Sequence, residues 1–207
     1  MPEPIEKCAV WAASPIAYTP HSALPKEVTP RDIAHVIKVF AAAAQAAAGC
    51  WFDALELNFA HGYLVAGFIS PLTNRRTDEY GGSLENRMRF PLQVLDAVHA
   101  IWERPLLVRI SASDWAEAGT DLDGAVEIAG LLKTHGCDLV HAVMGQTMWE
   151  SRPDYRRLFG VPASDRIRNE ARVPTIASGN ITTADEANTI LAAGRADLCV
   201  LELPASD

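Results

Sequence analysis

Leu55-Glu56-Leu57-Asn58-Phe59-Ala60-His61-Gly62-Tyr63-Leu64 decides the fold, together with its continuation Phe68-Ile69-Ser70-Pro71-Leu72-Thr73-Asn74-Arg75-Arg76-Thr77-Asp78-Glu79-Tyr80-Gly81-Gly82-Ser83-Leu84-Glu85-Asn86-Arg87. It begins as a short apolar strand over 54–57 and ends in a helix that opens near Ser83. Between them lies a long connection crowded with polar and aromatic side chains. A connection of that length in a compact domain usually carries function. It also leaves the C-terminal end of a strand, where α/β folds place their chemistry.

Outward from this stretch, apolar segments and helical segments alternate. Thr29-Pro30 reads as a cap followed by proline at the first helical position. The helix it opens runs from about Arg31 to Ala48, with Ile33, Val36, Ile37 and Phe40 on one face and Gly49 at its end. A second helix spans about 84–101. Pro105 to Ile110 is a continuous apolar strand with one charge, Arg109, near its end. Thr120-Asp121 caps a helix to about Thr134, and 139–143 is the next strand. Residues 163–171 form a short helix, 173–177 a strand, 182–193 a helix and 197–201 the last strand. About five apolar strands alternating with helices predict a parallel sheet. Residues 1–28, with Pro2, Pro4, Pro15, Pro20 and Pro25, are expected to be irregular, and 29–207 to form the domain.

The chain has 207 residues, 49% of them hydrophobic, enough for one domain with a sizeable core. Its net charge of −8 argues against nucleic acid and anionic membranes as partners. Cys8, Cys50, Cys137 and Cys199 show no CxxC pairing, so reduced intracellular thiols are expected rather than disulfides or a zinc site. Neither a signal peptide nor a membrane-spanning run is visible, and a cytoplasmic protein is expected. No HExxH, GxGxxG or P-loop pattern occurs, and the histidines lack metal-ligand spacing. Strand-end lysines, which a Schiff-base aldolase would need, are also missing.

The motif from Ala60-His61-Gly62-Tyr63-Leu64 through Asn86-Arg87 closely resembles the signature of the old yellow enzyme family. These are FMN-dependent ene-reductases and their relatives on a TIM (β/α)8 barrel. The resemblance extends in weaker form from Ser14-Pro15-Ile16 to about Leu201. The wording is most similar to the reductase-like domain of bifunctional salicylyl-CoA or aminobenzoyl-CoA monooxygenases. It implies an incomplete barrel of about five parallel strands, with roughly three strands before the first one here and a final helix after the last.

By this resemblance Asn58 and His61 hold the carbonyl oxygen of an α,β-unsaturated substrate. Two fixed donors there would stabilise the charge that grows as hydride reaches the β-carbon. Phe59 would narrow the pocket. Tyr63 would give a proton to the α-carbon, which a phenol can do because it keeps its proton at neutral pH. Arg109 would face the N1/O2 edge of FMN, with NAD(P)H as the reductant. Each residue also has a plainer reading: His61 as a satisfied loop histidine, Tyr63 as rim packing, Arg109 in an internal ion pair with a carboxylate such as Glu56. Arg75, Arg76, Asp78, Glu79, Asn86 and Arg87 would brace the long loop around Tyr80-Gly81-Gly82.

Ser178, Gly179 and Asn180 lie between a strand and a helix, where backbone amides can cradle the FMN phosphate. The family's Gly-Arg phosphate element would fall on Glu202-Leu203, where a carboxylate repels phosphate. The arginines of the 144–162 loop can meet a CoA or NAD(P)H phosphate, or be solvated charges. The implied partners are an unsaturated carbonyl or aryl-CoA substrate, a second copy of the chain, or a preceding N-terminal domain. The rival expectation is a non-catalytic barrel fragment with open sheet edges.

Overall fold

The structure is a computed structural model and describes residues 10–202. Two short strands come first, β1 (Trp11–Ala12) and β2 (Lys26–Glu27), paired in parallel. This pairing departs from the irregular segment expected before residue 29. Two-residue bridges carry no periodic signal and leave no mark in a sequence. The part of the segment before Val10 lies outside the described residues.

Helix α1 (Pro30–Gly49) starts on a reciprocal capping box. The Thr29 hydroxyl accepts from the Asp32 amide at 3.2 Å, and the Asp32 carboxylate accepts from the Thr29 amide at 2.9 Å. The elements that follow are β3 (Leu55–Phe59), α2 (Leu64–Ile69), α3 (Leu84–His99), β4 (Leu106–Ser111), α4 (Leu122–Thr134) and β5 (Leu139–Val143). Then come α5 (Val161–Arg166), a π-helical turn (Ile167–Ala171), β6 (Thr175–Ala177), α6 (Ala184–Ala192) and β7 (Leu198–Cys199).

Strands β3 to β7 make one parallel sheet whose spatial order is the chain order. This is the wall of a (β/α)8 barrel, five strands of it among the described residues. The two faces of the sheet differ sharply. Leu57 and Phe59 on β3, Val108 and Ile110 on β4, and Val140 and Ala142 on β5 are buried against the helices, in one core with Met88, Phe90, Leu95, Ile128 and Leu132. The alternate residues form the lumen face. There the expectation of apolar strands fails: Glu56 and Asn58 are exposed, and Arg109 and Ser111 are half-buried.

The long connection between β3 and α3 is not a plain loop. Leu64–Ile69 folds into α2, whose last five residues are buried. The rest is braced by side chains, as the charged pattern predicts. Asn74 donates to the carbonyls of Phe68 and Tyr80, at 2.8 and 2.7 Å. Arg76, 8% exposed, donates to the carbonyls of Ala13 and Val28 and pairs with Asp78. Arg87 donates to the Ile69 carbonyl at 2.8 Å. The arginines thus tie the N-terminal bridge, α2 and α3 into one rim.

Candidate functional site

The strand ends on the lumen side gather the side chains that can do chemistry. Sheet register places Asn58 beside Arg109, and Arg109 beside His141, in one row across β3, β4 and β5. Glu56 lies one lumen-facing step below Asn58 and joins the row. One carboxylate oxygen pairs with the Arg109 guanidinium, and the other lies 2.8 Å from His141 Nδ1. The Arg109 Nε sits 3.3 Å from the same nitrogen. The shorter contact is to the carboxylate, so Nδ1 carries the proton and donates to Glu56. Burial raises the Glu56 carboxyl, but the His141 hydrogen bond and the neighbouring Arg109 charge outweigh it and hold it below the usual carboxylate range.

His61 follows the end of β3 in the left-handed backbone region, at φ 58°. Its amide donates to the Ser111 hydroxyl at 2.9 Å, and that hydroxyl donates to the Gly145 carbonyl at 3.2 Å. The ring is half-buried, and its Nδ1 has no partner among the described residues. Burial pushes its pKa down, and the charge of Arg109 pushes it the same way. Together they outweigh the hydrogen bond to the Gly145 backbone and favour the neutral imidazole. Asn58 accepts from the Ala60 amide at 3.2 Å through Oδ1, which leaves its NH2 as a donor on the lumen side. Phe59 does not narrow this space. It is 1% exposed and packs edge-on against Phe40 of α1, because residues alternate faces along a strand.

Gly62 makes the next turn possible. A Cβ there would sit 2.8 Å from the Gln146 carbonyl oxygen, so only glycine lets the β3 and β5 loops touch. Tyr63 then caps α2 and projects outward, 63% exposed. It lines a cavity of about 370 Å3 with Trp11, Tyr18, Met148 and Trp149, to which Asn58 and His61 do not contribute. Backbone strain concentrates at the same end of the sheet. His61 after β3, Trp115 after β4, Gln146 after β5 and Asn180 after β6 all have positive φ. Such residues cost of order 1–3 kcal/mol each and cluster at functional sites.

The turn after β6 contains Ser178, Gly179 and Asn180. The Ser178 hydroxyl donates to the Ala142 carbonyl at 2.9 Å. The Asn180 amide donates to Glu202 Oε1 at 3.1 Å, so a carboxylate of the chain itself occupies the place the resemblance gives to phosphate. In the 144–162 loop, Arg156 pairs with Asp154 and Arg157 with Glu186. Tyr155 and Phe159 of this loop meet each other and Trp115 edge-on or tilted. A wider groove of about 750 Å3 runs between α5 and α6 and holds none of Asn58, His61, Tyr63 or Arg109.

Sequence reasoning missed His141. It is 6% exposed, its Nε2 has no partner among the described residues, and it completes the Glu56–Arg109 cluster. The signal was register: the second lumen-facing residue of β5 stands beside Arg109.

Similarity to known proteins agrees with this geometry. The NADPH dehydrogenase of Geobacillus thermodenitrificans (strain NG80-2) is 43% identical over 192 residues, covering 93% of this chain and 56% of that protein. The NADPH dehydrogenase of Bacillus subtilis (strain 168) is 40% identical over 192 residues, covering 91% and 56%. The chain thus spans about half the length of the curated relatives it matches. Among solved structures, 2-naphthoyl-CoA reductase with 2-naphthoyl-CoA superposes with a TM-score of 0.83 at 26% identity, over 92% of this chain and 30% of that one. Morphinone reductase with tetrahydroNAD gives 0.75 at 26% identity, over 92% and 55%. The sequence profile of the NADH:flavin oxidoreductase / NADH oxidase family matches residues 4–202. With that match over nearly its whole length, the chain belongs to the NADH:flavin oxidoreductase / NADH oxidase family.

Proposed function

We propose that this chain carries the substrate-binding half of an FMN-dependent oxidoreductase of old yellow enzyme type. It uses NAD(P)H to reduce an activated C=C bond, in an enone or a conjugated aryl-CoA thioester, in the cytoplasm. The observation that carries the reading is the buried His61 Nδ1, which has no partner among the described residues, at a strand end beside Asn58 and Arg109. A buried polar atom left open costs about 1–3 kcal/mol, which a ligand atom or a bound water offsets.

The redox end of the site fits a flavin: the Arg109 guanidinium, paired with Glu56, stands on the lumen face, and His61 and His141 each hold a ring nitrogen without a partner among the described residues. When bound, FMN supplies the hydride. The Asn58 amide and the His61 N–H donate to the substrate carbonyl oxygen as negative charge grows there. One such donor is worth roughly 3–4 kcal/mol. Tyr63 holds the proton for the α-carbon at the mouth of the aromatic cavity. The size and aromatic lining of that cavity support a planar, unsaturated acyl group. The relatives named NADPH dehydrogenase support the reductant, and 2-naphthoyl-CoA reductase supports an aryl-CoA substrate.

The phosphate end does not fit, since Glu202 already holds the Asn180 amide. That contact favours a second reading, a barrel portion that binds flavin weakly and does not turn over. A flavin titration separates the two. Adding FMN to the purified chain should quench flavin fluorescence and shift the visible spectrum with micromolar affinity, and Arg109→Ala should abolish both changes. A colourless chain that leaves FMN fluorescence untouched would support the second reading.

A further inference from the structure

Two carboxylates of the chain itself accept backbone amides between β6 and α6: Glu186, as the third residue of the α6 capping box, and Glu202. Glu186 Oε2 accepts from the amides of Thr182 and Thr183 at 2.8 and 2.9 Å. Glu202 Oε1 accepts from the amide of Asn180 at 3.1 Å. The Glu202 side chain is exposed, but its backbone is held. After β7 the Val200 amide donates to the Ala177 carbonyl at 2.9 Å, and the Glu202 amide to the Ile181 carbonyl at 2.8 Å. These bonds hold the Glu202 backbone against the turn. The turn is fixed from the other side as well. Asn180 Nδ2 donates to the Tyr155 carbonyl at 2.8 Å. A Cβ on Gly179, at φ +100°, would sit 2.8 Å from the Gly160 nitrogen.

An amide cluster ahead of a helix attracts anions, and carboxylate and phosphate oxygens compete for the same N–H groups. Here the competition is intramolecular, so the carboxylate wins. The nearby Arg157 already pairs with Glu186. An incoming phosphate would have to displace the like-charged Glu202 carboxylate to reach the Asn180 amide.

We infer that Glu202 seals the β6–α6 turn against phosphate and makes this chain indifferent to the phosphate of its flavin, so that riboflavin serves as well as FMN. The inference about flavin choice rests on the flavin reading above; the sealing of the turn does not.

Two titrations test it. In the first, inorganic phosphate is added to 15N-labelled chain. The Gly179 and Asn180 amide signals should stay in place in the wild type and move saturably in Glu202→Gln and Glu202→Gly. In the second, riboflavin and FMN are compared by fluorescence quenching. Wild-type affinities should agree within about threefold, and the variants should favour FMN by about tenfold. Saturable movement of these amides in the wild type, unmoved amides in both variants, or a wild-type FMN preference of about tenfold would overturn the proposal. Failure of both flavins to bind, with the phosphate shifts as expected, would refute the flavin reading while upholding the sealed turn.

Discussion

Arg109 and His141 stand at the same level of neighbouring strands and share one carboxylate, that of Glu56. The arrangement holds Arg109 in an ion pair, while His141 Nε2 has no partner among the described residues. Glu56→Gln removes the shared charge and leaves Arg109 beside His141 without an anion. For a pair this exposed, the expected cost is about 1–2 kcal/mol, a fall in Tm of about 2–8 °C. Thermal unfolding of the wild type and the variant at pH 7 measures it. The Glu56 carboxyl is held low in the folded state, so its contribution is present above its ordinary value of 4.5 and lost as pH falls below it. The gap between the two proteins should therefore narrow in acid.

His61 gives the opposite chemistry with a similar sign. Burial and the Arg109 charge depress its folded-state pKa below the ordinary 6.5. The unfolded chain then takes up this proton more readily. The stability linked to neutral His61 is full above 6.5 and is lost as pH falls through that value. A proton NMR titration of the His61 ring should show a midpoint below 6.5. A midpoint at or above it would refute the account of the site as a neutral donor.

Thiol chemistry separates the cysteines. Cys137 is buried, donates to the Leu139 carbonyl at 3.2 Å, and is pushed up to about 12 by burial. Cys50 is exposed beyond the end of α1. Iodoacetamide at pH 8 should label Cys50 within minutes and leave Cys137 unlabelled until denaturant is added, because only the thiolate reacts. Peptide mass mapping reads both sites in one experiment.

Asp114, 1% exposed, is the joint between the β4 loop and the end of α2. Its carboxylate accepts from the Ser70 hydroxyl and the Thr120 amide, both at 2.7 Å. Asp114→Ala leaves a buried amide and a buried hydroxyl without partners. The expected loss is about 2–4 kcal/mol, measured by urea unfolding. Asp114→Asn, which keeps an acceptor, should lose less.

Much of this was legible in the order of residues. Thr29-Pro30 marked the start of α1 and Leu106 to Ile110 a buried strand, because capping chemistry and hydrophobic runs are local. Helix α2 was hidden, since Leu64 to Ile69 is apolar on every side and offers no period to read. Phe59 lies on the helix-facing side of its strand against Phe40, a phase that the polar Asn58 and His61 around it do not reveal. His141 was invisible for a different reason: its meaning lies in its neighbours across β4 and β3, and register is not written in any one segment. At Ser178, Gly179 and Asn180 the strand–turn–helix pattern shows a phosphate cradle and the sequence shows the opposing charge of Glu202, but not that Glu202 bonds the Asn180 amide, which is a contact between distant segments.

The sheet in which spatial order equals chain order has a consequence for how the molecule is made. Every strand from β4 onward docks on a neighbour that has already left the ribosome, with β3 to β4, Leu55 to Leu106, the longest wait. No strand must be threaded between two others. Assembly can therefore proceed as a zipper during synthesis, each strand-and-helix unit adding to the last, with modest loop-closure entropy at each step.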